Sequence, residues 1–186
     1  MMLGELAGVF SGIEENLVRA SRDGKHDWRR FWLGTVGLDG GARVRMVVLR
    51  GFEREGWVVT VFTDRRSPKW GELEREPRAE LNFWNGRRSV QVRARGEAEL
   101  LGEGELWEEM RGRIPERSRG DYCARVVPGE EIGEPEEGWE LGGEDFFGVI
   151  RVKVKEVDWL ELSREGHRRA CFEVGGDEVR GSWVQP

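Results

Sequence analysis

The stretch RVRMVVLRGF, at residues 43–52, has the composition of a buried β-strand, because its centre is a run of β-branched and other apolar residues. The stretch WVVTVFT, at residues 57–63, has the same character, and EREG at residues 53–56 separates the two with turn-forming residues. Two apolar runs joined by a short polar turn are typical of an antiparallel hairpin. We therefore expect both stretches to be neighbouring strands of one sheet.

Similar strand patterns lie on both sides of this hairpin. They are FWLGTVGL at 31–38, AELNFW at 79–84, SVQVRARGEAELL at 89–101, FFGVIRVKVKEVDWLEL at 146–162 and RRACFEV at 168–174. Helical patterns occupy residues 6–23, 68–76 and 102–112. Roughly seven strands and three helices predict a single domain over residues 1–186, mainly β with added helices and closed into an antiparallel barrel. The Glu-, Gly- and Pro-rich segment 114–143 is predicted to be a long loop or lid.

Composition excludes several classes of protein. The chain of 186 residues carries 30 Lys and Arg against 36 Asp and Glu, and its net charge of −6 argues against a nucleic-acid-coating protein. Two cysteines and two histidines, without metal-ligand spacing, predict no metal site. No basic leader precedes the first helix, and no apolar run approaches the roughly 20 residues of a membrane span. These features predict a cytoplasmic protein that does not contact membranes.

A cluster of positive charge follows the hairpin and suggests an anion site. Ser67 and Pro68 form a helix start, Lys69 follows at once, and Arg45 and Arg50 lie on the first strand of the hairpin. Guanidinium groups, an ammonium group and the free N–H groups of a helix start all favour a bound phosphate. The alternative is a solvated strand face beside an exposed helix, since charged side chains on strands usually face water.

Five segments, in this order, resemble the pyridoxamine 5′-phosphate oxidases and related flavin-binding split barrels. They are RMVVLR at 45–50, FT at 62–63, S-x-K at 67–69, EPRAELNFW at 76–84 and VQVRARGEAE at 90–99. The resemblance implies an FMN-binding split β-barrel, FMN as the cofactor, and a homodimer with its flavin sites at the interface. It also implies a small-molecule substrate.

The resemblance carries cofactor-binding roles onto individual residues. Those implied at the FMN phosphate and ribityl chain are Arg45, Met46, Val47, Arg50, Thr63, Ser67 and Lys69. Phe62 stands where the family usually has a tyrosine, and Gln91 matches the glutamine that approaches the flavin ring. HRRACF at residues 167–172 resembles the family's H-x-R segment, which implies that Arg169 reaches the flavin of the partner subunit and that His167 contacts the substrate. From the residues alone, Gln91 also fits an ordinary polar strand position, and Phe62 a core or interface position.

The chain also departs from the oxidase pattern. The family has a lysine at Arg50, an arginine at Pro68, an arginine at Val90 and a tryptophan at Ser163, and ERSRGDYCARVVPG at 116–129 has no counterpart of the segment that grips the vitamin's phosphate. We therefore predict an FMN-dependent oxidoreductase whose small substrate is unidentified, with catalytic residues unknown. The alternatives are a non-catalytic flavin-binding protein and a protein of this fold that uses a deazaflavin or haem.

Overall fold

The computed structural model describes residues 4–175 and 178–186, apart from the side chain of residue 117. Within these residues the chain forms three α-helices and eight strands. In chain order they are α1 (Glu5–Arg22), β1 (Arg30–Val36), β2 (Ala42–Glu53), β3 (Val58–Asp64), α2 (Pro68–Arg75), β4 (Arg78–Asn85), β5 (Val90–Leu101), α3 (Glu105–Gly112), β6 (Phe147–Glu161), β7 (Arg168–Glu173) and β8 (Arg180–Val184). Short 3₁₀ helices occupy Asp27–Arg29, Glu116–Tyr122 and Pro135–Trp139.

All eight strands belong to one antiparallel sheet. Their order is β3-β2-β1-β4-β5-β6-β7-β8, and an additional pairing of β3 with β6 closes the first six strands into a barrel. Strands β7 and β8 extend the sheet beyond the barrel. The predicted antiparallel barrel with added helices is confirmed, and β8 is a strand that the sequence pattern did not identify.

The barrel splits where β6 changes its neighbour. The first part of β6 pairs with β3, the last part pairs with β7, and a register shift in the β5 pairing lies between them at Gly96. A Cβ atom at Gly96 would lie 2.7 Å from the carbonyl carbon of Lys153 and 2.8 Å from the Cα of Val154. The close approach of the two backbones therefore requires a glycine at this bulge.

The main core fills the barrel and continues under α1. Its fully buried members include Phe31, Leu33, Leu81, Phe83 and Ile150, and α1 adds Ile13 and Leu17 to the same cluster. Alternate residues of each strand point inward, as the period-two patterns predict. The cores of barrel and helix are thus continuous, which favours cooperative folding of the described residues as one unit.

A second hydrophobic cluster lies under α3 and the residues that follow it. It joins Met110, Ile114 and Tyr122 to Phe147 and Val149 of β6. The first part of segment 114–143 is therefore anchored to the sheet, whereas residues 129–137 are exposed. Within the described residues, no helix combines the length and apolarity needed to cross a membrane.

Candidate functional site

Lys69 lies in a pocket of hydroxyl groups where β3 meets α2. Its Nζ donates to Oγ1 of Thr63 at 2.8 Å and to Oγ of Ser67 at 2.9 Å, and the two hydroxyl oxygens are 3.1 Å apart. Thr63 and Ser67 are buried, and Pro68 occupies the first helical position of α2, as the sequence predicts. The helix start therefore directs an ammonium group and two hydroxyl groups to one point.

The charge of Lys69 has no close carboxylate partner. Among the described residues, no Asp or Glu oxygen lies within 4.0 Å of its ammonium. Burial lowers the pKa of Lys69, and the nearby charge of Arg45 lowers it further. A desolvated cation beside two hydroxyl donors and a helix N-terminus fits a phosphate monoester, because a bound phosphate would supply the missing negative charge.

Arg45 faces the barrel interior and is already paired. Its Nη2 donates to Oε2 of Glu72 at 2.7 Å, and its Nη1 donates to the hydroxyl of Thr35. Thr35 donates in turn to the same Glu72 oxygen at 2.6 Å. Glu72, on α2, is only 4% exposed. The charge of Arg45, which the sequence suggested for the phosphate alone, is therefore balanced in part within the chain.

Glu72 was not among the sequence-predicted site residues, although a signal for it existed. It lies on α2 directly before the buried Leu73 and two positions after the buried Trp70, so it occupies the packed side of an otherwise charged helix. A carboxylate in such a position requires a cationic partner. Only the folded structure identifies that partner as Arg45.

The remaining predicted residues of β2 and β3 divide between the two sides of the sheet. Val47 is buried, whereas Met46 is 57% exposed on the outer side. The guanidinium of Arg50 lies 5.6 Å from the ring centroid of Phe62. Phe62 also contacts Phe147 edge to face at 5.0 Å and so packs against the second cluster. These contacts place Arg50 and Phe62 beside the start of segment 114–143 and not among the hydroxyl groups that hold Lys69.

Gln91 on β5 and Arg169 on β7 form a second group, on the outer side of the sheet. Gln91 donates through Nε2 to Oδ1 of Asn82 at 2.9 Å. Arg169 donates side-on to Asp158, from Nε to Oδ1 at 3.0 Å and from Nη2 to Oδ2 at 2.7 Å. Arg93 also donates to Oδ2 of Asp158. One carboxylate thus orients two guanidinium groups.

His167 is exposed at the turn between β6 and β7. Its Nδ1 accepts a hydrogen bond from the backbone N–H of Ser163 at 3.2 Å. This contact fixes the ring within its own turn. The described residues bring no second predicted site residue into hydrogen-bond contact with it.

The two groups of predicted residues do not converge within one chain. Thr63 pairs with Gly148, and Gln91 pairs with Leu160, so twelve residues of β6 separate the two levels. Arg45 also points into the barrel, whereas Gln91 lies on the outer side. Within the described residues of one chain, the two groups of predicted residues therefore stay apart.

An exposed apolar surface lies next to the second group. We call it the apolar face; it consists of the outward side chains Trp32, Val44, Met46 and Trp84 on β1, β2 and β4. Val44 is 70% exposed, and Trp32 and Trp84 are each more than a third exposed. An open groove of about 850 Å³ joins this face to Gln91. Clustered exposed apolar residues of this kind mark interaction surfaces.

Comparison with known proteins identifies the family. Residues 12–102 match the family model described as "Pyridoxamine 5'-phosphate oxidase, FMN-binding domain". A pyridoxine/pyridoxamine 5'-phosphate oxidase of Thermosynechococcus vestitus is 41% identical over 166 residues, which cover 78% of this chain and 73% of the relative. An oxidase of the same name from Microcystis aeruginosa is 28% identical over 189 residues, covering 95% of this chain and 86% of the relative.

Solved structures show the same fold. A pyridoxamine 5'-phosphate oxidase-related, FMN-binding protein from Nostoc punctiforme superposes with a TM-score of 0.75 at 21% identity and covers 100% of both chains. PhzG from Burkholderia lata, in complex with tetrahydrophenazine-1-carboxylic acid, also has a TM-score of 0.75, at 19% identity, and covers 100% of this chain and 98% of PhzG. With a match to the FMN-binding domain and a fold shared with FMN-binding split barrels, the chain belongs to the pyridoxamine 5′-phosphate oxidase family, and its cofactor is FMN.

Proposed function

We propose that this protein is an FMN-dependent oxidoreductase that acts on a small substrate. The observation that carries the proposal is Lys69, a partly buried ammonium held by two hydroxyl groups at a helix start. Bound FMN would supply a ring that accepts a hydride and passes electrons to oxygen or another acceptor. The chain would bind and orient the cofactor, and no side chain is assigned as a general acid or base.

The half-site around Lys69 would hold the phosphate. Lys69 supplies the charge, Thr63 and Ser67 supply hydroxyl donors, and the first turn of α2 supplies free N–H groups. Arg45 would complete the positive field while it stays paired with Glu72. A pocket for a terminal monophosphate favours FMN over FAD.

We infer that the working unit is a homodimer in which each flavin contacts both chains. Burying the apolar face against a two-fold partner would remove its exposed tryptophans and methionine from water. Gln91 borders that face. Arg169 follows in the same cross-strand row, because Leu160 of β6 pairs with Gln91 on one side and with Arg169 on the other. Dimerisation would therefore bring the Gln91 and Arg169 half-site of one chain toward the Lys69 half-site of the other. There Arg169 would supply positive charge beside the flavin ring.

Complementation between two damaged chains tests the shared site. Lys69→Ala and Arg169→Ala each remove one half-site, and the two variants are unfolded, mixed and refolded together. Random pairing makes about half of the dimers mixed, and each mixed dimer has one intact site, so about a quarter of wild-type FMN binding should return. Each variant refolded alone is the control. Mixed samples that bind no more FMN than these controls, or an FMN-loaded monomer in light scattering, would refute the shared site.

The proposed substrate is not pyridoxamine 5′-phosphate. The curated relatives carry the name of that activity. In this chain, however, residues 116–129 depart from the oxidase pattern, and Tyr122 within them is buried against Phe147 at a ring separation of 5.1 Å. Tyr122 therefore contributes to the packing of the second hydrophobic cluster.

Flavin reduction tests both catalysis and substrate. The FMN-loaded protein is mixed without oxygen with pyridoxamine 5′-phosphate and with other reduced small molecules, and bleaching of the flavin absorbance is followed. We expect slow or no bleaching by pyridoxamine 5′-phosphate. Turnover of that compound at about 1 per second or faster, the range of ordinary enzymes, would overturn this assignment. A protein that binds FMN but is reduced by none of the compounds, including nicotinamide donors, would favour the non-catalytic alternative.

A further inference from the structure

The outer side of β5, β6, β7 and β8 carries a regular array of mostly polar side chains. Cross-strand register aligns three rows of four residues on this side. We call this surface the arginine face; its rows are Gln91, Leu160, Arg169 and Val184, then Arg93, Asp158, Cys171 and Ser182, then Arg95, Glu156, Glu173 and Arg180. Directly opposed residues in an antiparallel sheet are close neighbours. The second and third rows therefore lie beside the row that contains Gln91 and Arg169.

An open groove of about 580 Å³ crosses this array. Four arginines line it, together with the side chains of Asp158, Glu156 and Glu173. Arg95 is engaged by Glu80 at 3.3 Å and by Glu156 at 3.9 Å. The surplus of positive charge is therefore concentrated elsewhere in the groove.

The surplus of positive charge lies in the first two rows, at Arg169 and Arg93. Asp158 is the one carboxylate that Arg93 and Arg169 share among the described residues. Burial raises the pKa of Asp158, but the hydrogen bonds and charges of Arg169 and Arg93 lower it more, so the carboxylate is ionised at neutral pH. Two cations and one anion leave this trio with one net positive charge.

Arg93 keeps unused donors in this arrangement. It donates to Asp158 through Nη2, and no other side-chain hydrogen bond from Arg93 occurs among the described residues. Its side chain is about a third exposed, at 34%, and lines the groove. Arg169, in contrast, uses its whole Nε edge on Asp158. Of the two arginines, Arg93 has more donors to offer to a ligand.

We propose that the arginine face binds an anionic group of the substrate, a carboxylate or a phosphate, and that Arg93 is the residue that pairs with it. Asp158 is the positioning residue, because it orients both Arg93 and Arg169. The inference rests on the proposed function, since the shared site is what would put Arg169 beside the flavin of the partner subunit. Its consequence is that the substrate is an acid bound by the chain that contributes Arg169.

Binding of simple anions to the FMN-loaded protein tests the inference. Benzoate and phenyl phosphate are titrated while the flavin absorbance is followed, with benzamide as the neutral counterpart of benzoate. We expect at least one anion to perturb the flavin spectrum and benzamide not to do so. Arg93→Gln should weaken anion binding by about tenfold or more, the scale of one lost charge-assisted hydrogen bond. Arg93→Lys, which keeps the charge, should restore part of the affinity.

Arg151→Gln is the matched control, since Arg151 lies on β6 outside the arginine face and is engaged by two carboxylates. It should leave the affinity nearly unchanged. Equal anion binding by wild type and Arg93→Gln would overturn the inference and leave the proposed function standing, as would a failure of FMN-loaded wild type to bind either anion. If wild type holds no FMN, the proposed function fails. In that case, calorimetric titration of benzoate into the FMN-free protein tests the anion site by itself. Heat of binding that is lost in Arg93→Gln would support the site, and no heat with wild type would overturn it.

Discussion

Replacing Lys69 by alanine should weaken FMN binding more than any other single charge removal in the described residues. The ammonium is partly buried, has two hydroxyl acceptors and lacks a carboxylate partner among the described residues. Without a phosphate the folded protein therefore carries a desolvated charge, which a bound phosphate would offset. The substitution removes that compensation from the bound state.

The size of the effect follows from one charge-assisted contact. Such a hydrogen bond contributes about 1 to 3 kcal/mol, which corresponds to about a 5- to 150-fold increase in the dissociation constant of FMN. Arg45 does not take over the role of Lys69, because Glu72 and Thr35 already engage its guanidinium. We therefore expect a change in the upper part of this range.

The same contact predicts a pH dependence. Burial, followed by the charge of Arg45, lowers the pKa of Lys69 in the FMN-free protein. A phosphate would raise that pKa again, so binding takes up a proton at alkaline pH. As the pH rises through the lowered pKa toward the ordinary lysine value, Lys69 loses its charge and the affinity for FMN should fall. The Lys69→Ala variant should lack this part of the pH profile.

Quenching of FMN fluorescence on titration with protein measures both effects. Lys69→Met is a second variant, because it keeps the length of the stem and removes the charge. Lys25→Ala, at an exposed lysine between α1 and β1, is the control. Dissociation constants within twofold of wild type for both Lys69 variants would show that Lys69 does not hold the phosphate.

Two further substitutions test the surroundings of the site and of the barrel split. Glu72→Gln should lower the melting temperature of the FMN-free protein, because it leaves Arg45 without its anionic partner. It should also enlarge the stabilisation by FMN, because Arg45 becomes available to the phosphate. Thermal melts with and without FMN measure both effects, and an unchanged shift in melting temperature on adding FMN would contradict the expectation. Gly96→Ala should lower the free energy of unfolding, measured in urea, by several kcal/mol, since its Cβ would collide with the backbone at Lys153. Gly12→Ala on α1 is the control: nothing lies within 4 Å of the added Cβ, so the free energy of unfolding should rise by about 0.5 to 1 kcal/mol. Equal effects of the two alanines would refute the role given to Gly96.

Local patterns in the sequence predict much of the fold. The β2–β3 hairpin, the helix that begins after Ser67 and the helix over residues 6–23 all follow from spacing and cap chemistry, and the structure confirms them. Strand β8 escaped prediction because its RGSWV sequence is short and lacks a clear alternation; it forms by pairing with β7. The hydrogen bonds to β7, and not the local strand propensity of residues 180–184, account for this strand.

The candidate site was predictable only in part, for a related reason. The ordered motifs placed Lys69 beside Ser67, and these contacts are local because the residues are two positions apart. The pairing of Arg45 with Glu72 joins positions 27 apart, and that of Arg93 with Asp158 joins positions 65 apart. The first pair depends on how α2 packs against β2, and the second on how β5 and β6 are aligned. Sequence motifs therefore located Arg45 and Arg169, but neither Arg93 nor the carboxylates that pair with these arginines.

Strand β2 connects cofactor binding with dimerisation. Its alternation directs Arg45 inward to Glu72 and directs Val44 and Met46 outward to the apolar face. A shift of one residue in the pairing of this strand would turn Arg45 outward and turn Val44 and Met46 into the barrel. If the flavin is shared between two chains, the same register that pairs Arg45 with Glu72 also fixes the surface on which the partner docks. Loss of FMN and loss of the dimer should then accompany each other, because both depend on how β2 aligns with β1.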